Sequence, residues 1–121
     1  MVLMILMIVP FASARLLADE VHLSRIRFGD YDYISGRELD SYVFVYNDNP
    51  DERVRDGSVS IRFVDEEVYD SSGLFDIHSR EGVGRSMITP IDDVAPGEYL
   101  VKITFTTNDI HKTKYRYVIV E

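Results

Sequence analysis

The stretch DVAPGEYLVKITF, residues 93–105, decides the fold class of this 121-residue chain. A turn segment runs into an alternating strand whose one face carries Tyr99, Val101, Ile103 and Phe105. This arrangement is typical of a tyrosine corner, in which the ring enters a β-sandwich core and the hydroxyl bonds backward to a backbone group upstream. We therefore predict structural roles for four residues of this corner, namely Asp93, Pro96, Gly97 and Tyr99.

The remainder of the chain shows alternating runs separated by turn residues about every ten to twenty positions, which favours a sandwich over βαβ units. The strand after Gly36 is apolar on both faces and is predicted to be central. Pairing is predicted to resume only after Gly57, and residues 80–84 are predicted to be a flexible link. We predict about seven strands, drawn from segments 21–28, 33–35, 38–46, 58–64, 68–69, 74–78, 86–91, 99–107 and 114–120.

The N-terminus differs in kind from the rest, because residues 2–12 form an apolar run broken only by Pro10 and followed by Ala12-Ser13-Ala14. The run has the length of a signal-peptide h-region and is shorter than the roughly 20 residues that span a bilayer. No Lys or Arg precedes it, and a buried first strand or helix is the alternative. We predict a signal peptide over residues 1–14 and one domain over residues 15–121, secreted or exposed at the cell surface.

Composition excludes several classes of function. The chain has no cysteine, which removes thiol nucleophiles, cysteine-based zinc sites and disulfides. Its net charge is −8, with 21 acidic and 13 basic residues, so neither nucleic acid nor an anionic membrane is an expected partner. The one basic cluster, on the last strand, is predicted to be a solvated sheet surface and consists of Lys112, Lys114 and Arg116.

Catalytic signatures are missing from the sequence. The three histidines are widely separated and form no H-E-x-x-H pair, and no G-x-S-x-G elbow exposes a nucleophile. Residues 82–86 resemble half of a phosphate loop, but no Gly-Lys-Ser/Thr follows them. We predict that the protein is not an enzyme and needs no cofactor, with calcium as the one ion left open.

The calcium hypothesis rests on acidic turns, because calcium takes several oxygen ligands. Asn47, Asn49 and Asp51 follow the ligand spacing of a calcium loop, yet Glu52 stands where the turn glycine belongs and Ser58 where a bidentate glutamate belongs. A looser site is the remaining form of the hypothesis, against solvated acidic turns as the alternative. Its candidate ligands are Asp48, Asp51, Asp92 and Asp93, with Asp30 and Asp32.

Tyrosines are the other candidate site residues. An exposed cluster would suit sugar or protein, whereas most are expected to pack as partners on strand faces. An uncovered edge strand would allow another chain to add by β-pairing. The tyrosines in question are Tyr31, Tyr33, Tyr42, Tyr46, Tyr69, Tyr115 and Tyr117.

Three segments carry a family resemblance: YISGRELDSYVFVYN (33–47), APGEYLVKI (95–103) and KYRYVIV (114–120). They resemble the immunoglobulin-like domains of prokaryotic cell-surface proteins, including the CARDB type and archaeal surface-layer-associated sandwiches. The resemblance implies an all-β, immunoglobulin-like Greek-key sandwich of antiparallel strands. It also implies a non-catalytic, extracytoplasmic structural or adhesive module that binds protein partners through end loops or an edge strand. The alternatives are a calcium- or carbohydrate-binding accessory module and a self-assembling surface-layer or pilus subunit.

Overall fold

A computed structural model describes residues 18–121, so the predicted signal peptide over residues 1–14 lies outside the described residues. The described part is all-β, which confirms the predicted fold class, and its one helical element is a 3-10 turn, Ala18–Glu20. It contains nine strands rather than about seven. They are β1 Val21–Phe28, β2 Tyr33–Ile34, β3 Glu38–Asn47, β4 Val54–Phe63, β5 Tyr69–Ser71, β6 Phe75–Ile77, β7 Gly82–Pro90, β8 Gly97–Thr106 and β9 His111–Val120.

The strands form two sheets. One has three strands in the order β1-β3-β7, and the other has six, in the order β2-β9-β8-β4-β5 with β6 also paired to β4. The predicted central position of β3 is confirmed, since β1 and β7 pair on its two sides. One pair departs from the antiparallel pattern: β2 runs parallel to β9. The N-terminal segment bends at Gly29, where φ is +52°, and thus contributes a strand to each sheet.

The core lies between the inner faces of the two sheets. Strand β8 contributes Val101, Ile103 and Phe105, all fully buried, and β3 contributes Val43 and Val45 from the opposite sheet. Each such side chain stabilises the fold by about 1.5–3 kcal/mol relative to exposure. The two-residue alternation predicted for residues 99–105 therefore determines which side chains of β8 face the core and which face away from it.

Strand β4 begins earlier than the sequence predicts. Pairing does not resume after Gly57, because Gly57 is itself paired with Phe75 of β6 and Val54 with Ile77. Gly57 is buried, and a Cβ at this position would lie 2.6 Å from Cζ of Phe105. The glycine is therefore required by the close approach of a core ring and does not end the strand.

Strand β7 also begins earlier, and the prediction of a flexible link over residues 80–84 is wrong for its last three positions. Gly82 and Gly84 pair with β3, and the rings of Phe44 and Tyr42 lie across the two glycines. The guanidinium of Arg25 lies 4.9 Å from the centre of the Phe44 ring. These glycines make room for aromatic rings on the surface of a strand. The sequence pattern alone does not distinguish such glycines from those of a loop.

Replacing Gly57 by alanine tests the packing around Phe105. Because Phe105 is fully buried and its ring would lie within 3 Å of the added Cβ, we expect Gly57→Ala to lower the free energy of unfolding by about 1–3 kcal/mol. Urea unfolding measures the change, and Ser58→Ala at the neighbouring, partly exposed position is the control. Equal stability of the two variants would contradict the packing described here.

Candidate functional site

The four acidic calcium candidates lie at opposite ends of the sandwich. Asp48 and Asp51 follow the end of β3, whereas Asp92 and Asp93 follow β7, whose last residue pairs with the first residue of β3. A strand of ten residues separates the two ends by about 30 Å. Within residues 18–121 no three His, Asp or Glu side chains gather in a group that could hold a metal ion. The calcium site therefore remains a prediction without a convergent ligand set.

The alternating Asn47, Asn49 and Asp51 have a structural explanation. The Asn47 Oδ1 accepts the backbone N–H of Asn49 at 3.0 Å, and the Asn49 Oδ1 accepts the N–H of Asp51 at 2.8 Å and of Glu52 at 2.7 Å. These are successive asparagine turns that fold the loop upon itself. The spacing that resembles a calcium loop thus serves the backbone of the loop.

Asn47 is fully buried and joins three connections of the chain. Its Nδ2 donates to the carbonyl of Glu52 at 2.8 Å and to the carbonyls of Ile77 and His78, both at 3.3 Å. Its own backbone N–H donates to the carbonyl of Glu81 at 2.8 Å. This amide links the end of β3, in one sheet, to the end of β6, in the other.

Tyr99 lies at the opposite end, near the start of β8. Its hydroxyl donates to the carbonyl of Ala95, four residues upstream, at 2.5 Å. Its half-buried ring packs against Phe63, with 5.5 Å between the ring centres. Gly97 and Pro96 lie in the exposed chain between donor and acceptor, and Asp93 in the turn before it.

Two of the three basic residues on β9 do not form a solvated sheet surface, so that prediction is wrong for them. Lys112 Nζ donates to the carbonyl of Val21 at 2.7 Å, and Arg116 Nη1 donates to the carbonyl of Ile26 at 3.0 Å. Both side chains lie toward the open edge of β1, because the inward face of β9 borders that edge. They occupy main-chain acceptors that an added strand would otherwise use.

The opposite face of β9 belongs to an uncovered surface, which we call the outer face: the outward side of β5, β4, β8 and β9. Cross-strand pairs place Tyr69 beside Arg62, Arg62 beside Lys102, and Lys102 beside Tyr115. Tyr117 follows two residues after Tyr115 on the same side. The side chains of Tyr69, Tyr115 and Tyr117 are 57–63% exposed. The sequence alone predicts that most of the tyrosines pack as partners on strand faces.

Hydroxyl groups continue the outer face next to this row. Ser71, Ser60, Thr104 and Thr113 form a second row across the same four strands. A shallow depression of about 210 Å³ spans the two rows, and its lining includes Arg62, Lys102 and Tyr69. Thr104 is buried and its hydroxyl lies 3.5 Å from that of Thr113. The surface therefore offers aromatic rings and cations together with the hydroxyls of Ser60 and Ser71.

The charge of the outer face differs from that of the whole chain. Among the residues that the structure describes, no side chain forms a hydrogen bond or an ion pair with the side chain of Arg62 or of Lys102. Two exposed acidic side chains lie on these four strands: Glu98, which is paired with Ile119, and Asp56, which lies near the start of β4, at the end of that strand away from Arg62. A protein of net charge −8 thus leaves two unmatched cations at the centre of an open sheet face.

The histidines do not assemble into a site. His22 Nε2 lies 3.9 Å from an Asp48 carboxylate oxygen, and His111 Nδ1 lies 3.4 Å from the Thr106 hydroxyl. His78 is exposed and lies at the end of β6. Across the described part of the chain, no helix is both long and apolar enough to cross a membrane.

Comparisons with known proteins support the fold alone. No family model matches the chain, and no curated protein matches it. Among solved structures, the chain is similar to a FixG-related protein from Vibrio parahaemolyticus, with 10% identity, a TM-score of 0.61, and coverage of 85% of this chain and 98% of that one. It is also similar to part of the alkylpurine DNA glycosylase AlkC from Pseudomonas fluorescens bound to DNA, with 11% identity and a TM-score of 0.61.

The coverage differs widely between these structures. The chain matches over 84% of its own length but spans only 30% of the glycosylase. A β-glucosidase from Erythrobacter marinus matches at 14% identity and a TM-score of 0.55, again over 84% of this chain and only 15% of the enzyme. The same sandwich thus occurs both as nearly a whole chain and as a small part of large enzymes, which fits the rule that fold does not determine function.

Removing the Asn47 amide tests its role as a link between the sheets. Asn47→Ala leaves buried carbonyls without a donor, and we expect the free energy of unfolding to fall by about 2–3 kcal/mol. Thermal and urea unfolding measure the loss. Asn108→Ala, at an exposed position in the β8–β9 turn, is the control and should have little effect. A loss no larger than that of the control would show that the Asn47 bonds contribute nothing net.

Proposed function

We propose that this chain is a non-catalytic module that acts outside the cytoplasm, at the cell surface or after secretion, and binds a protein partner through the outer face. One observation carries the proposal: exposed tyrosines stand beside Arg62 and Lys102 on an uncovered sheet. Tyrosine and arginine are enriched at protein interfaces and dominate their binding energy. Isolated exposed apolar residues need no explanation, but a contiguous group does.

The size of the outer face suits a modest interface. Strands β4, β8 and β9 have ten residues each and β5 has three, so at a spacing of about 4.8 Å they present about 500 Å². A standard protein interface buries about 800 Å² on each partner, and weaker encounters bury less. The face can therefore supply most of one side of an interface without help from the end loops.

The extracytoplasmic location is supported by the sequence, through the apolar run over residues 2–12 and the small-residue triplet Ala12-Ser13-Ala14. The architecture supports an immunoglobulin-like interpretation, because β1-β3-β7 and β9-β8-β4 correspond to the A-B-E and G-F-C strand orders of such domains. In that correspondence Tyr99 lies at the start of strand F, the position of a tyrosine corner. The extracytoplasmic location and the immunoglobulin-like architecture are both part of the proposal.

Binding through a face is favoured here over strand addition at β1. Lys112 and Arg116 occupy carbonyls along the free edge of β1. Arg25, with φ of +49°, lies where the β1–β3 register shifts, and such irregularity further disfavours pairing with a second chain. Self-assembly through β1 is accordingly the weaker candidate.

Replacing two exposed tyrosines tests the proposal. We expect the double variant Tyr115→Ser and Tyr117→Ser to bind envelope proteins of the source cell at least about tenfold more weakly, since aromatic anchors carry interface energy. Its thermal midpoint should stay near that of the parent, because both rings are exposed. Quantitative retention of envelope extract on the immobilised protein measures binding.

Ile88→Ser is the matched control, since Ile88 is 60% exposed on the other sheet. Treating the extract with protease before the assay should abolish retention if the partner is a protein. Undiminished retention by the tyrosine variant, or retention that survives protease, would contradict the proposed function.

A further inference from the structure

We infer that the row Tyr69, Arg62, Lys102 and Tyr115 is a recognition site for a short acidic segment of the partner protein. The inference rests on the proposed function, which makes the outer face a protein-binding surface, and specifies the chemistry of what binds there. The carboxylates of the acidic segment would lie over Arg62 and Lys102, with the tyrosine rings on either side.

The like charges of Arg62 and Lys102 are the first argument. The two residues are directly opposite each other on adjacent antiparallel strands, where side chains stand about 5 Å apart and like charges are destabilising. No acidic side chain of the described residues pairs with either cation. A carboxylate placed between them would relieve this repulsion, and arginine binds carboxylates with two parallel hydrogen bonds.

The flanking groups are the second argument. Tyr69 and Tyr115 lie at the two ends of the row, three strand spacings or about 14 Å apart. Their exposed rings can cover apolar parts of a bound chain, while the hydroxyls of Ser60 and Ser71 in the adjacent row can donate to or accept from its backbone. A segment of a few residues would span the row.

The limits of the positive region favour a short peptide over a long acidic polysaccharide. Glu98 stands at one side of the outer face, and Asp65, Glu66 and Glu67 form the turn between β4 and β5. A uniformly charged polymer longer than the row would extend into these carboxylates and be repelled. A partner with two or three local carboxylates avoids that repulsion.

Binding of defined peptides tests the inference. The probe is an octapeptide with four glutamates alternating with serine, and its matched control carries glutamine in place of glutamate. We expect the glutamate peptide to shift backbone amide NMR signals in residues 60–62, 69–71, 102–104 and 113–115. The glutamine peptide should bind at least tenfold more weakly, and 0.5 M salt should weaken the glutamate peptide several-fold because exposed charges are screened.

Charge-removing variants locate the site. Arg62→Gln with Lys102→Gln should lower affinity for the glutamate peptide at least tenfold, whereas Lys114→Gln should change it less than twofold. Lys114 is the matched control because it is an exposed cation on β9 that is paired with the inward-facing Ile103 and so lies on the side of the sheet away from the outer face. The double variant should have a thermal midpoint equal to or slightly above that of the parent, since it removes a repulsive pair and no ion pair.

Each contrary outcome has a defined meaning. Equal binding of the two peptides, no binding of the glutamate peptide at millimolar concentration, or insensitivity to Arg62→Gln with Lys102→Gln would overturn the inference. Polygalacturonate that displaces the peptide at lower carboxylate concentration would assign the row to a polysaccharide instead. Loss of peptide binding with intact, tyrosine-dependent retention of envelope protein would leave the proposed function standing, whereas loss of that retention would contradict it.

Discussion

The two-residue period of β8 is the constraint on which the rest of the structure depends. Val101, Ile103 and Phe105 must enter the space between the sheets, so the intervening residues, Lys102 and Thr104, are forced to the opposite face. Pairing with β4 and β9 extends this division across the sheet. The buried core and the open outer face are thus two consequences of one pattern, because a register shift of one residue would exchange them.

Polar groups at the two ends of the sandwich fix how the sheets are connected. Buried Asn47 joins the loop after β3 to the end of β6, and Tyr99 bonds to Ala95 where the chain passes from β7 to β8. Apolar burial alone does not specify these crossings, since it has no direction. Directional hydrogen bonds do, and those of Asn47 are the more costly to leave unmade because this side chain is fully buried.

Much of the fold could be predicted from local pattern, while the site could not. The bounds of β1 follow from alternation, and the central position of β3 follows from apolar residues on both of its faces. The start of β7 does not, because Gly82 and Gly84 look like a linker until the rings of Phe44 and Tyr42 are placed over them. The row on the outer face depends on register between β4, β5, β8 and β9, and cross-strand register is not visible in a single sequence. The asparagine spacing of residues 47–51 was misleading because the same alternation suits calcium and successive turns.

The two sides of one sheet differ in role: the inner side holds the domain together, and we propose that the outer side meets a partner. Oxidative or nitrating labelling of tyrosines, read by mass spectrometry, tests this most directly by comparing the purified protein with the protein attached to its cell envelope. We predict protection of Tyr69, Tyr115 and Tyr117 on attachment, with Tyr31, which is 95% exposed at the end of the sandwich, labelled equally in both. Equal labelling of all four tyrosines, or protection of Tyr31 alone, would contradict the assignment of the outer face as the binding surface.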